Sequence, residues 1–300
     1  MEPAGPAWPD TGAAERAIAR LPPRLREAVE WGASRWPGRI ILNSVANVVR
    51  IELFDRAMTI AGQFFTSIFP ILVLISVIVD RNDTKRIADA LEMPVQTQSV
   101  LSDAFGQPSA ASFGLVGALI VLISATSLSR ALTRAFATIW RLSRPKTSLR
   151  SAWRWLAVVL TLALSLVVVR ALGTFLEGAP ASTVWRATVA FFCDLIVATF
   201  VPWILLSGVV RARYLLTGAA LYAVVMVLVR PASTLWLPRA LEVSADRYGS
   251  IGVAFTYLAW LYCVSFIFLA ASVIGEVLTM DRGSIGQWIR GSQETSPTAV

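Results

Sequence analysis

The strongest candidate for chemistry in this chain is a single carboxylate inside an apolar run. Asp194 lies within residues 187–210, a stretch that is long and apolar enough to be a membrane helix. An ionised Asp at the centre of such a helix costs roughly 2.5–3.5 kcal/mol in lipid, so it usually faces a cavity or a partner. Asp194 could line a polar path, exchange a proton or contact a lipid head group. It could equally form a structural ion pair with Arg170 or Arg186, or contact interfacial water.

Two sets of polar residues at helical spacing could line the same path. Gln63 and Ser67 follow Thr59 at steps of four, and Ser272 and Glu276 follow Ser265 at steps of seven and four. Each set therefore shares one helix face. Hydrogen bonds between packed helices, worth about 0.6 kcal/mol each, would use the same groups, so both interpretations stay open. The candidate cavity-lining residues are Gln63, Ser67, Asp194, Ser265 and Ser272.

A basic helix face is the third candidate site. Arg130, Arg134 and Arg141 follow Ser127 at steps of three, four and seven, and Arg144 comes shortly after them. This face predicts contact with anionic lipid head groups at the cytoplasmic leaflet. The alternative is that these four arginines only set the membrane topology. Glu276 is expected to meet such arginines in a structural role.

Enzymatic chemistry is not expected. The chain has no histidine, which excludes histidine acid–base catalysis and histidine metal ligation. Cys193 and Cys263 both lie in apolar runs and form no CxxC pair, so no metal site and no cofactor is predicted. Asp80, Asp83 and Asp89 lie near one another, but we expect them on the side of the membrane opposite to cytoplasmic RNA.

The elements that must position these residues are predicted to be membrane helices. Hydrophobic residues make up 56% of the chain and charged residues only 15%, against about 25% charged in soluble domains. The sequence predicts an all-α polytopic protein, with a disordered lead (1–12), cytoplasmic or interfacial helices (13–56) and a cytoplasmic tail (281–300) around a membrane domain (57–280). Its six predicted spans are about 57–79, 112–137, 152–172, 187–210, 214–230 and 248–276.

An amphipathic helix is predicted just before the first span, over Arg39 to Asp55. Its apolar positions Leu42, Val45, Val49 and Leu53 recur at steps of three and four, with Asn43, Asn47 and Arg50 elsewhere on the wheel. Such a helix either lies in the membrane interface or packs on the bundle, and the two interpretations are compatible.

Four residues are assigned structural roles from their type alone. Pro70 is expected to kink the first span, and Pro202 lies within the fourth. Gly249 and Gly252 are expected to permit close helix approach or a tight entry into the sixth span.

The distribution of charge predicts the orientation. Nineteen of the 27 basic residues fall on the side that holds both termini, which should therefore be cytoplasmic. Because the arginines adjoin apolar segments, the expected partners are membrane lipids with anionic head groups rather than nucleic acid. Self-association of the chain is left open.

Three motifs in order resemble the YihY/BrkB family of bacterial inner-membrane proteins. The first motif consists of Ala57, Ala61 to Phe65, Ser67, Phe69 and Pro70. The second motif is Ser127 to Arg134, followed by Trp140. The third motif is Tyr248 to Gly252, followed by Trp260 to Tyr262, Gly275 and Glu276. The family commonly has Ala-Glu after the last glycine, whereas here Glu276 follows Gly275 directly.

The resemblance implies six helices in the bacterial inner membrane and leaves the substrate undefined. Members have been linked to envelope lipid export and to serum resistance, and an older ribonuclease BN-like label is regarded as a misattribution. We therefore expect a transporter or flippase-like exporter of a lipid or amphipathic envelope component. The alternative is a non-catalytic scaffold for envelope assembly, and a ribonuclease is the least favoured reading.

Overall fold

The computed structural model describes residues 36–78, 126–142, 182–206, 208–281 and 284–290, with side chains of the second helix described as far as Thr66. These residues are helical and contain no strand, which confirms the predicted all-α class for this part of the chain. The helices are α1 (Trp36–Arg50), α2 (Leu53–Ile78), α3 (126–139), α4 (Ser182–Leu205), α5 (Ala212–Met280) and α6 (Ser284–Arg290).

Two described helices are long and apolar enough to cross a bilayer. They are Val184–Leu205, within α4, and Ala212–Met280, which is α5. Helix α2 covers the predicted span 57–79, and α3 covers the end of the predicted span 112–137. The lead 1–12 and the predicted span 152–172 lie outside the described residues, so the arrangement of six spans stays a prediction.

Helix α5 differs from the sequence-based expectation. Residues 231–247, predicted to connect spans 214–230 and 248–276, are helical, and Pro231 and Pro238 lie inside the helix. The two prolines are exposed, and each lacks the N–H group that would bond to the carbonyl four residues earlier. Because the prolines are seven residues apart, these two carbonyl groups lie along one face of the helix. The Ser233 hydroxyl also donates a hydrogen bond to the Arg230 carbonyl (2.7 Å) beside the first proline. Proline is tolerated in membrane helices where such local groups compensate.

Gly249 interrupts this long helix. Its backbone has φ 62° and ψ −145°, a conformation that side-chain-bearing residues rarely adopt. Beyond it the chain folds back: Thr256 donates to the Ser244 hydroxyl (2.8 Å), and a Cβ added to Gly252 would overlap the Ser244 carbonyl oxygen. Gly249 thus makes the reversal of a helical hairpin, and Gly252 allows its two arms to touch.

The chain divides into two compact units. The first unit consists of the described parts of residues 1–53, 133–227 and 267–300. The second consists of the described parts of residues 54–132 and 228–266. In the first unit, residues 212–227 and 267–280 pack antiparallel. Thr279 donates to the Tyr214 carbonyl (3.4 Å), and a Cβ on Gly275 would lie 2.6 Å from the Gly218 Cα. The Phe268 ring packs edge-on against the Tyr222 ring, with centroids 5.1 Å apart. Small residues therefore let these backbones approach closely, as in many membrane helix pairs.

Helix α1 is separate from α2, instead of continuing to Asp55 as predicted. A turn at Ile51 and Glu52, with Glu52 at φ 52°, divides them. The polarity of α1 is inverted relative to a soluble protein: Ser44 and Asn47 are buried, while Val45 and Val49 are 56% and 71% exposed.

We predict that Gly275→Ala destabilises the protein, because the added methyl group meets the Gly218 backbone and has no flexible side chain to displace. Overpacking of this kind costs about 1–3 kcal/mol. Thermal unfolding of the detergent-solubilised chain, followed by the loss of its monodisperse peak, should show a lower midpoint. The matched control is Gly62→Ala in α2, where an added Cβ meets no atom within 4 Å. An equal drop for both variants would contradict the close backbone contact.

Candidate functional site

A buried carboxylate forms the centre of an ionic cluster in the first unit. Glu276 is only 3% exposed and lies near the end of α5. The Arg141 Nε atom is 3.5 Å from Glu276 Oε1, and the Asn47 side-chain amide donates to Glu276 Oε2 (3.4 Å). A carboxylate buried this deeply needs such partners, because an unpaired buried charge is strongly unfavourable.

Asn47 links the carboxylate to two guanidinium groups. Its Oδ1 atom accepts from Arg50 Nε (2.9 Å) and from Arg141 Nη2 (3.3 Å), while its amide nitrogen donates to Glu276. An asparagine side chain is both donor and acceptor, so it can contact unlike charges at the same time. The cluster contains two arginines and one carboxylate and is therefore net positive.

The charges of the cluster act on one another. Partial burial and the positive charge of Arg141 lower the pKa of Arg50, whereas Glu276 raises it. Arginine nevertheless stays protonated in proteins. The two guanidinium groups thus repel each other while they share Asn47.

Arg141 occupies a backbone position that usually belongs to glycine. It follows α3 with φ 53°, the Leu142 N–H donates to the Ala137 carbonyl (2.8 Å), and the Arg141 N–H donates to the Thr138 carbonyl (3.3 Å). This pattern is a Schellman end, in which the left-handed residue is most often Gly. A left-handed conformation costs about 1–2 kcal/mol for a residue with a Cβ. The contacts of the Arg141 side chain explain why an arginine stands there.

The structure brings together two of the predicted site residues and adds two that the sequence analysis did not select. Glu276 was predicted to meet the arginines of the basic face in a structural role, and it pairs with Arg141, which was itself predicted to contact lipid. Asn47 and Arg50 were noticed only as polar positions of an amphipathic helix. Their signal was present in the sequence, since Glu276 is the only ionisable charged residue between Arg247 and Asp281 and so required partners from elsewhere.

The arginines of the predicted basic face differ in how far their side chains are exposed. Arg130 and Arg134 are exposed on α3, while the Arg141 side chain is only 18% exposed against Glu276. Arg144 lies outside the described residues. The side chains of Arg130 and Arg134 are therefore accessible from outside the protein, and Arg130 Nε also donates to the Thr126 carbonyl (3.2 Å), whereas Arg141 is largely buried.

Asp194 lies deeper in its helix than predicted. Because α4 begins at Ser182, Asp194 is about 18 Å from the start of the helix, near its midpoint, and it is partly buried. Pro202 lies in the same helix and its ring is fully buried. The centre of a candidate span is where an ionisable side chain is most unfavourable in lipid.

The other candidate cavity residues belong to both units. Gln63 is partly buried and Ser265 is 4% exposed in the second unit, while Ser272 in the first unit donates to the Phe268 carbonyl (2.9 Å). Ser67 and Pro70 lie in α2, but their side chains are outside the description. This hydrogen bond of Ser272 stays within its own helix, so it supports neither contact with a second helix nor a polar path.

An apolar groove of about 800 Å³ lies in the second unit, between the two arms of the α5 hairpin. None of the four predicted cavity residues with a described side chain lines it, but Gly252 does. The polar side chains that line the groove are Arg239, Ser244, Tyr248 and Thr256. The remaining lining residues are Trp236, Ala240, Val243, Ile251, Phe255 and Ala259. Sequence reasoning missed this groove because it depends on the reversal at Gly249.

Over the described residues, no group of three or more Cys, Asp or Glu side chains could hold a metal ion. Cys193 is partly buried and Cys263 is exposed, and neither forms a disulfide bond.

We predict that Arg141→Ala lowers the free energy of unfolding by about 3–5 kcal/mol, because it leaves the Glu276 carboxylate buried and unpaired. Adding Glu276→Gln to that variant should recover part of the loss, since no charge then remains buried at that position. Denaturant unfolding in detergent micelles, arranged as a double-mutant cycle, measures the coupling. Arg186→Ala on the exposed part of α4 is the control and should change stability little. Independent, additive effects at 141 and 276 would rule out the pairing.

A family profile described as Virulence factor BrkB matches residues 44–287, which cover α1 from Ser44 through most of α6. Neither the curated proteins nor the solved structures contain a match to the chain. The profile spans both the ionic cluster and the groove, and it covers most of the 300 residues. With its helical, apolar structure, the chain belongs to the BrkB virulence factor family of membrane proteins.

Proposed function

We propose that this BrkB-family protein is a transporter or flippase-like exporter of a lipid or other amphipathic envelope component. The groove in the α5 hairpin is the observation that carries the proposal. Its volume of about 800 Å³ lies within the range of small-molecule sites, which are roughly 300–1,000 Å³. In a membrane protein, an apolar groove of this size suits a hydrocarbon chain.

The lining of the groove indicates the polarity of its ligand. Ile251 and Phe255 are 65% and 66% exposed and form an apolar surface, while Arg239 is the one charged side chain among the described lining residues. A guanidinium group pairs well with phosphate or carboxylate. The favoured ligand therefore has a hydrocarbon part that contacts the apolar side chains and an anionic group near Arg239.

Two further groups have roles in the proposed movement. Exposed Arg130 and Arg134 would attract anionic head groups from the cytoplasmic leaflet. Asp194, at the centre of a candidate membrane helix, would provide a polar side chain to a head group that crosses the bilayer. Gly249, the non-helical residue between the arms, is the natural hinge for opening the groove.

The proposal includes location and partners. We place the chain in the inner membrane, with several spans, both termini in the cytoplasm and anionic lipids rather than nucleic acid as partners. The excess of basic residues on one side and the apolar helices support this placement. We propose no catalytic activity.

A non-catalytic scaffold is the second candidate, and the ionic cluster favours it. Asn47, Arg141 and Glu276 satisfy one another inside the first unit, as expected of polar groups that hold helices together. A scaffold of this kind would not move lipid by itself. Lipid movement by the purified protein therefore distinguishes the two functions.

We predict that Arg239→Gln slows lipid movement severalfold in proteoliposomes, since the anionic group loses its charged partner. The measurement follows dithionite bleaching of an NBD-labelled anionic phospholipid, with the zwitterionic analogue measured in parallel. Arg247→Gln is the matched control, because Arg247 is exposed on the same arm and does not line the groove. Wild-type protein that moves neither lipid would favour the scaffold.

We further predict that Asp194→Asn reduces the same rate without loss of folded protein, because a neutral amide cannot exchange a proton. Circular dichroism and gel filtration in detergent verify the fold. An unchanged rate of lipid movement would count against a polar path at α4. The role of the groove is tested separately by Arg239→Gln.

A further inference from the structure

Helix α1 presents an apolar stripe outward, although Ser44 and Asn47 of the same helix are buried beside Ile40. Ile41, Val45 and Val49 follow one another at steps of four, so they form one stripe, and their side chains are 62%, 56% and 71% exposed. The buried face contains Ser44 and Asn47 instead. Water would favour the opposite arrangement, so this stripe requires an apolar covering.

The contacts of α1 hold it beside the C-terminal end of α5, a candidate membrane span. The Arg39 guanidinium lies 3.6 Å from the carboxylate of Asp281, the first residue after α5, and Asn47 contacts Glu276 in the last turns of α5. Both contacts lie within the first unit. Helix α1 is therefore held beside the end of an apolar helix, at the level where a membrane helix leaves the hydrocarbon core.

The charges that α1 itself contains are all positive. Arg39, Ala46 and Arg50 occur at steps of seven and four, so they form an exposed flank next to the stripe. Helix α1 has no acidic residue. An apolar stripe with a cationic flank is the pattern of helices that lie in the surface of an anionic membrane.

A tryptophan in the same unit is consistent with this level. Trp288 in α6 is 81% exposed, and its carbonyl oxygen accepts a hydrogen bond from Arg213 Nη2 (3.4 Å) at the start of α5. Helix α6 begins at Ser284, four residues after Met280. Tryptophan is enriched at the boundary between lipid and water.

We infer that the stripe of Ile41, Val45 and Val49 lies in the acyl boundary of the leaflet at which α5 ends, with Arg39 and Arg50 among anionic head groups. The occupant of this surface is the lipid bilayer itself. The ionic cluster then has a second consequence, because it holds α1 so that its apolar side points to lipid. This role does not depend on transport and applies equally to a scaffold.

The test uses nitroxide labels on the full-length protein in phospholipid nanodiscs. Cysteine is introduced at Val49 or at Ala46 after Cys193 and Cys263 are changed to serine, and gel filtration verifies that the protein remains folded. Both positions are exposed on α1, but only Val49 belongs to the stripe. Collision rates with oxygen, which concentrates in lipid, and with a water-soluble nickel chelate are compared by electron paramagnetic resonance.

We expect a severalfold higher oxygen-to-nickel ratio at Val49 than at Ala46. Nanodiscs with phosphatidylglycerol should increase the ratio at Val49 relative to phosphatidylcholine alone, because the cationic flank draws the helix toward anionic head groups. Equal ratios at the two positions would overturn the inference, since the stripe would then face water. Spin–spin broadening at Val49, abolished by dilution with unlabelled protein, would overturn it in favour of a second copy of the chain.

Discussion

The pairing of the Glu276 carboxylate is the interaction on which the packing of the first unit depends. It lies at the end of a long apolar helix, where an unpaired charge would be strongly unfavourable, and its partners come from residues far away in sequence. Arg141 reaches it from the end of α3 and Asn47 from α1. Three segments with little else in common are thus fixed at one point, and the direction of α1 follows from that point.

The same interaction explains the inverted polarity of α1. Once Asn47 and Arg141 face Glu276, the polar side of the helix must point inward, and Val45 and Val49 are left outside. A hydrophobic core alone would have turned the helix the other way. The arrangement is stable only if the surroundings of the protein are themselves apolar, and this agrees with the membership in a family of membrane proteins.

Composition and periodicity were sufficient to predict helices and apolar spans, because those features depend on local sequence. They were insufficient where the result depended on contacts between distant residues. Asn47 carried no local mark of its role, since its value comes from Glu276, 229 positions later. The course of α5 was missed for another reason: Pro231 and Pro238 suggest a break in the helix, whereas the reversal occurs at Gly249. Proline removes a donor but leaves a helical φ, while a φ of 62° forces the chain to turn.

The groove follows from that turn by simple sterics. Because Gly252 has no side chain, the two arms touch at Ser244, and the adjoining positions contain residues too large to pack at the same spacing. Trp236 on one arm and Phe255 on the other are 55% and 66% exposed, so they lie beside the contact instead of filling it. A larger residue at 252 would push the arms apart at their closest point and remove the constraint that shapes the groove. The groove is therefore a consequence of one missing side chain, and its dimensions are set by the backbone contact at Ser244.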